Sequence, residues 1–305
     1  MNEMTLLREF RDSAPASAPA RIRHRVLAAP GGAAPTRSRR TALAGGGLVA
    51  AATATAFVAS SLGPGAPPSA AAVLDEAADH VLAAPTPAAP EPDQWIHGRA
   101  IDRDPVTGRA GQPVDYWQRV DGREFAQRRP GGRINVMQVE SNPLGTPLDW
   151  YRLAAALPTA PEAVLDALEL DPLYTSHGRT RADRDFDEVT TALTSAAALP
   201  AASVASLYRA LATIPGVGVD QDAPTDLAGR DVLSITYDGQ SSLGRPGDRW
   251  ELLLDPDSYR VTGLRGTAGA DERLKDGDVV RRGEVWFEHA LLSERVVDEP
   301  GDGTS

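Results

Sequence analysis

Histidines are the first residues to ask about acid–base or metal chemistry, and the chain has five: His24, His80, His97, His177 and His289. They are scattered, no His-Glu-x-x-His occurs, and there is no cysteine to complete a zinc set. Gly239-Gln240-Ser241-Ser242-Leu243-Gly244 misses the nucleophile-elbow spacing by one residue. It also falls between strand-like segments, where the elbow needs a strand, a sharp turn and then a helix. Gly216-Val217-Gly218 follows a helical stretch and lacks the third glycine of a dinucleotide loop, so it reads as a helix stop. The acidic groups Asp102/Asp104, Asp183/Asp185/Asp187 and Asp271/Glu272 lack calcium-loop spacing and suit turns and helix starts. No catalytic, cofactor or metal constellation emerges, and the chain reads as a non-enzyme.

Aromatic surface is what remains. Four of the five tryptophans, Trp95, Trp117, Trp250 and Trp286, fall in strand-like segments, and Trp150 opens a helical region. Packing of a sheet would account for them. The sharper expectation is an apolar ligand cleft between a curved sheet and the helices of residues 150–213, lined by Trp95, His97, Trp117, Trp250 and Trp286. His97 either faces that cleft or is a hydrogen-bonded core residue.

The elements that must position these groups change period along the chain. Strand-like segments cover 94–101, 114–120, 123–127 and 134–140, with Asp121-Gly122 as a hairpin turn between two of them. Trp117 breaks the alternation of Val114, Tyr116 and Val120, implying apolar neighbours on both faces. Thr159-Ala160-Pro161-Glu162 has capping-box spacing and opens one helix; Asp185 is placed to cap a second over 186–199. Pro200 starts a third, where Val204, Leu207, Tyr208 and Leu211 follow the i, i+3, i+4, i+7 pattern until Pro215-Gly216. Strands return at 217–219, 232–237, 250–254, 260–265 and 284–287. Strands, then helices, then strands predict an α+β domain with an antiparallel sheet rather than a βαβ repeat.

Ahead of this domain, Thr41 to Leu62 forms 22 residues without a charge, immediately after Arg37, Arg39 and Arg40. As a helix it would be roughly 33 Å long, enough to span a bilayer core. Residues 1–40 hold eight arginines against three carboxylates, whereas everything beyond residue 74 has 39 acidic and 23 basic residues. That split orients the span with its N-terminus in the cytoplasm and the long acidic part outside the cell membrane, and the acidic excess argues against a nucleic-acid partner. The competing reading is a cleaved twin-arginine export signal, Ser38-Arg39-Arg40-Thr41-Ala42-Leu43, with Ala70-Ala71-Ala72 as the cleavage site. The expected organisation is a basic arm (1–40), a transmembrane helix (41–62), a stalk helix with a Pro-rich connector (63–92), the α+β domain (93–297) and a frayed tail (298–305). In the arm, Leu6, Leu7 and Phe10 form a small apolar face suited to a cytoplasmic contact.

Several strings carry a resemblance across nearly the whole chain. They are Met4-Thr5-Leu6-Leu7-Arg8, the twin arginines before an Ala/Gly-rich span, Val73-Leu74-Asp75-Glu76-Ala77-Ala78, Gln94-Trp95-Ile96, and Ala155-Ala156-Leu157-Pro158-Thr159. The most specific is the run from Leu207 to Val217, LYRALATIPGV. Together they resemble a family of actinobacterial single-pass membrane proteins without assigned activity, often encoded beside extracytoplasmic-function sigma factors. The resemblance implies a membrane location and a tie to sigma-factor signalling, with a sigma factor or another regulator as cytoplasmic partner. The expected function is a membrane-anchored sensor or regulator whose outer domain binds a lipid-like, peptide or protein ligand; the alternative is an envelope carrier or structural module without a signalling role. More distantly, the strand–helix–strand order is similar to the half-barrel of periplasmic lipoprotein carriers and sigma-regulating sensors, which implies a curved, half-barrel-like sheet. Zinc-type anti-sigma domains pair a histidine with Cys-x-x-Cys, and this chain has no cysteine.

Overall fold

The computed structural model describes residues 69–303 apart from 105–107, 140–144, 170–179, 196–197, 221–224, 240–246 and 274–278. The basic arm with Leu6, Leu7 and Phe10, the arginines Arg37, Arg39 and Arg40, and the expected span 41–62 lie outside the described residues. Among the described residues no helix is long and apolar enough to cross a membrane.

The first described element is a helix, α1 (Ala70–Ala83). Ser69 caps it, its Oγ accepting from the Ala72 N–H at 3.2 Å. Val73, Leu74, Ala77 and Ala78 are buried along one side. That side packs on a later helix, α5 (Ala201–Thr213), and Arg209 of α5 pairs with Asp79 at 2.7 Å. The segment expected as a stalk is therefore built into the domain core.

Four strands follow, β1 (Trp95–Asp102), β2 (Val114–Arg119), β3 (Glu124–Arg128) and β4 (Asn135–Gln138). The Asp121-Gly122 turn joins β2 to β3, and Gly122 adopts φ +74°, which a side chain would resist. Among the described residues the helical middle has four members: α2 (Pro147–Ala155), α3 (Pro161–Glu169), α4 (Arg181–Ser195) and α5. A reciprocal capping box of Thr146 and Asp149, with Pro147 at the first turn, sets the start of α2. The start of α4 is set by Thr180 and Asp183, which exchange bonds of 2.9 and 3.1 Å. Asp185 is thus not the cap but a buried residue inside the helix.

The last third gives β5 (Val217–Asp220), β6 (Leu233–Tyr237), β7 (Arg249–Leu254), β8 (Val261–Thr267), the small pair β9 (Glu272–Arg273) and β10 (Val279–Val280), then β11 (Val285–Val297) and β12 (Pro300–Gly303). Nine strands form one curved antiparallel sheet in the order β4-β3-β2-β1-β11-β8-β7-β6-β5. The 13-residue β11 is its spine, pairing with β1 on one side and β8 on the other. The sheet's first and last strands in chain order, β1 and β11, thereby become neighbours, and the chain folds as α+β. The frayed end expected from residue 298 instead carries β12, whose Asp302 carbonyl accepts from Trp117 Nε1 at 3.4 Å.

The main core lies between the inner face of the β6–β8 half and the helices, and is built from residues such as Leu74, Leu168, Phe186, Leu207, Leu211, Ile235, Leu252 and Leu254. On the outer face, a buried charge network ties β7, β8 and β11 together. Arg265 reaches Glu251 at 3.4 Å and Glu288 at 3.1 Å and donates to the Thr225 carbonyl at 2.9 Å. Glu288 also accepts from the Leu227 N–H at 2.9 Å, so the carboxylates are satisfied by several donors.

Candidate functional site

Strand alternation divides the expected cleft residues between opposite faces of the sheet. Trp95, His97 and Trp117 point away from the helices. Trp95 and Trp117 cluster there with Ala126, against Ile134 and Val297. His97 stacks on Trp117 with ring centroids 4.9 Å apart, and its Nε2 donates to Asp115 at 3.1 Å. Burial holds the His97 pKa below its ordinary value, with the Asp115 contacts opposing the shift. Burial also pushes Asp115 up, but hydrogen bonds from Arg128 and His97 outweigh it and keep that carboxyl low. Trp250 and Trp286 sit at the other end, edge to face at 5.7 Å, packed into the main core with Phe287. These five residues do not form one cleft.

A cavity of about 310 Å³ does lie between the sheet and the helices α1, α4 and α5, with a different lining. It opens because the helices pack over the β5–β8 half and leave the β1–β3 half less covered. Its floor is the inner face of β1, β2, β3, β8 and β11. Ile96, Ala100, Val114, Phe125, Leu264 and Leu291 supply apolar surface there. Leu193, Leu199 and Val204 close it from the helix side. Gly98 faces Tyr116 across the β1–β2 register, and a Cβ there would collide with the tyrosine ring, so this glycine makes room for Tyr116 in the lining.

Polar groups punctuate that lining. His289 on β11 stands opposite Asp102 on β1, and its Nδ1 donates to Asp102 Oδ1 at 2.7 Å. Gln118, Gln127, Arg129, Arg260 and Glu294 also reach the cavity. Tyr208 Oη donates to the Tyr259 carbonyl at 2.6 Å, and Tyr259 packs edge-on against His80. Burial and the neighbouring Glu76 push the Tyr259 hydroxyl up to about 12. The two non-glycine residues with left-handed backbone among the described residues, Ala198 (φ 59°) and Tyr259 (φ 52°), both line this cavity. Such conformations cost about 1–2 kcal/mol for an L-residue and cluster where a surface has work beyond folding.

No group of His, Asp or Glu among the described residues has the arrangement to hold a metal ion. Asp102, Tyr116, Arg129, Arg260 and His289 were not singled out as a site from the sequence. Period-two alternation is the signal that finds them, because it sets Ile96, Gly98, Ala100 and Asp102 on one face and Trp95 and His97 on the other. No family model and no curated protein sequence matches the chain.

Proposed function

We propose that the chain is a membrane-anchored extracytoplasmic sensor or regulator that binds a lipid-like ligand between its sheet and its helices. The cavity carries this reading. Protein interiors are close-packed, with few voids larger than a water molecule. An opening of about 310 Å³ with apolar walls, two left-handed non-glycine residues and a sparse set of polar groups has the makeup of a ligand pocket. The likeness of the strand order to lipoprotein-carrier half-barrels agrees with it.

Location rests on the uncharged run 41–62 and the charge split around it. The Ala70-Ala71-Ala72 stretch forms the first turn of α1, with Ala72 bonded to its cap. Cleavage there would cut a helix packed into the core, which favours a retained anchor over an export signal. The link to a sigma factor rests on the resemblance alone.

The test is direct. The full chain is purified and its bound lipids are extracted for mass spectrometry, beside an Ala100→Trp variant that fills the cavity from β1. Wild type should retain an amphiphile, and the variant should lose it while melting at a similar temperature. A wild-type protein that neither carries nor takes up any amphiphile would overturn the reading.

A further inference from the structure

The polar groups around the cavity are unevenly satisfied, and the imbalance describes a head group. Arg129, just past β3, and Arg260, just before β8, line the cavity from opposite walls, with β2, β1 and β11 between them in the sheet. Both are exposed, and among the described residues neither is paired with a carboxylate. Arginines elsewhere in the domain do find one, as Arg128 finds Asp115 at 2.9 Å and Arg119 finds Glu124 at 2.8 Å. The two acids of the lining are already engaged, Asp102 by His289 and Glu294 by a contact of its own. Inside the cavity, Ser195 Oγ is buried with no hydrogen-bond partner among the described residues. A buried hydroxyl left unsatisfied is costly in a native protein and marks a place where a ligand oxygen belongs.

We propose, building on the cavity reading above, that the ligand is a single-chain amphiphile with an anionic head, a carboxylate or a phosphate monoester. The chain lies along the apolar floor, the head is held at the rim by Arg129 and Arg260, and Ser195 Oγ donates to an oxygen near the head. Guanidinium groups match both head chemistries because their N–H forks meet two oxygens at once. A cavity of about 310 Å³ stands at the small end of ligand pockets, which run about 300–1,000 Å³, and suits one hydrocarbon chain better than a multi-acyl lipid.

The experiment uses the full chain in phosphatidylcholine nanodiscs and three sixteen-carbon probes with a photoreactive diazirine near the chain end: a carboxylate, a phosphate monoester and the neutral alcohol. Labelled peptides are mapped by mass spectrometry. At equal concentration, at least one anionic probe should label the peptides containing Ile96, Phe125 or Leu264 about tenfold more than the alcohol does, the factor expected for a charge-assisted bond. Which anion wins identifies the head. In the Arg129→Ala/Arg260→Ala double variant the anionic yield should fall to that of the alcohol, with alcohol labelling unchanged. Both arginines are exposed, so the variant should keep its fold, and an unchanged melt checks this. Equal labelling by alcohol and anions, or undiminished anionic labelling in the double variant, overturns the head-group assignment and leaves the cavity reading standing. No labelling of these peptides by any probe overturns both.

Discussion

Glu188 is only 3 % exposed, and it lies on α4 with Asp185 and Asp187 for neighbours. Burial first, then the charges of Asp185 and Glu169, raise its pKa to about 7, so the folded protein holds a proton that the unfolded chain releases near 4.5. The sign follows from linkage: stability contributed by this group rises as pH falls from about 7 to about 4.5, and is lost as pH rises through 7. His97 works in the opposite direction. Burial lowers its pKa, so the folded state resists its protonation and stability falls as pH drops below about 6.5. Glu188→Gln isolates the first effect. In urea melts, the variant should be more stable than wild type at pH 8, by up to a few kcal/mol, and the gap should close toward pH 5. Parallel curves for the two proteins across that range would refute it. None of this was legible in the sequence, where Asp183, Asp185 and Asp187 suit a helix start. The capping acid is Asp183, and its partner Thr180 lies three residues before it. The remaining carboxylates become buried only because α4 packs between sheet and neighbouring helices.

Among the elements, α5 holds the helical layer together, packing on α1, α3 and α4. Its apolar stripe was readable directly, because Leu207, Tyr208 and Leu211 repeat at helical spacing between Pro200 and Pro215, and each is at most 1 % exposed. Leu211→Ala leaves a cavity that neighbours on three helices cannot easily fill. It should cost about 2–5 kcal/mol, seen as a lower urea midpoint at unchanged slope. A midpoint within error of wild type would mean the stripe can repack. Other elements were less legible for definite reasons. The signal for α2 was Thr146-Pro147-Leu148-Asp149, a cap with only nine helical residues after it, too short for a periodic pattern to stand out. The expected strand at 284–287 is 13 residues long, because β11 runs through the middle of the sheet and meets neighbours on both edges and both faces. Its Glu288, Ser293 and Glu294 look like loop residues in sequence, yet Glu288 is 2 % exposed and paired with Arg265. The cleft prediction failed to single out the cavity's residues for a similar reason: tryptophans mark apolar contact, and a sheet with two covered faces offers that contact on the wrong side as well.

On the scale of the whole molecule, a basic arm and an uncharged run precede an acidic domain whose described elements run from α1 to β12. Charge and apolar pattern in the arm make separable demands. Orientation of a span depends on lysine and arginine close to its ends, so Arg37, Arg39 and Arg40 should suffice for it. Leu6, Leu7 and Phe10 add nothing to orientation, and an apolar face on a short helix is what a partner groove reads. Two variants of the full chain separate the roles, each with a periplasm-active reporter fused after Ser305. Replacing Arg37, Arg39 and Arg40 by Glu should lower reporter activity severalfold and reduce the amount of correctly oriented protein. Replacing Leu6, Leu7 and Phe10 by Ser should leave reporter activity and membrane fractionation at wild-type levels and, under the regulatory reading proposed above, abolish capture of a sigma factor by the arm. If that capture is absent in wild type, or survives the Leu6/Leu7/Phe10 change, the arm is an orientation signal only and the proposed regulatory contact through it is wrong. If the arginine variant keeps full reporter activity, the +5 arm is not what sets the topology, and the anchored reading loses its main support.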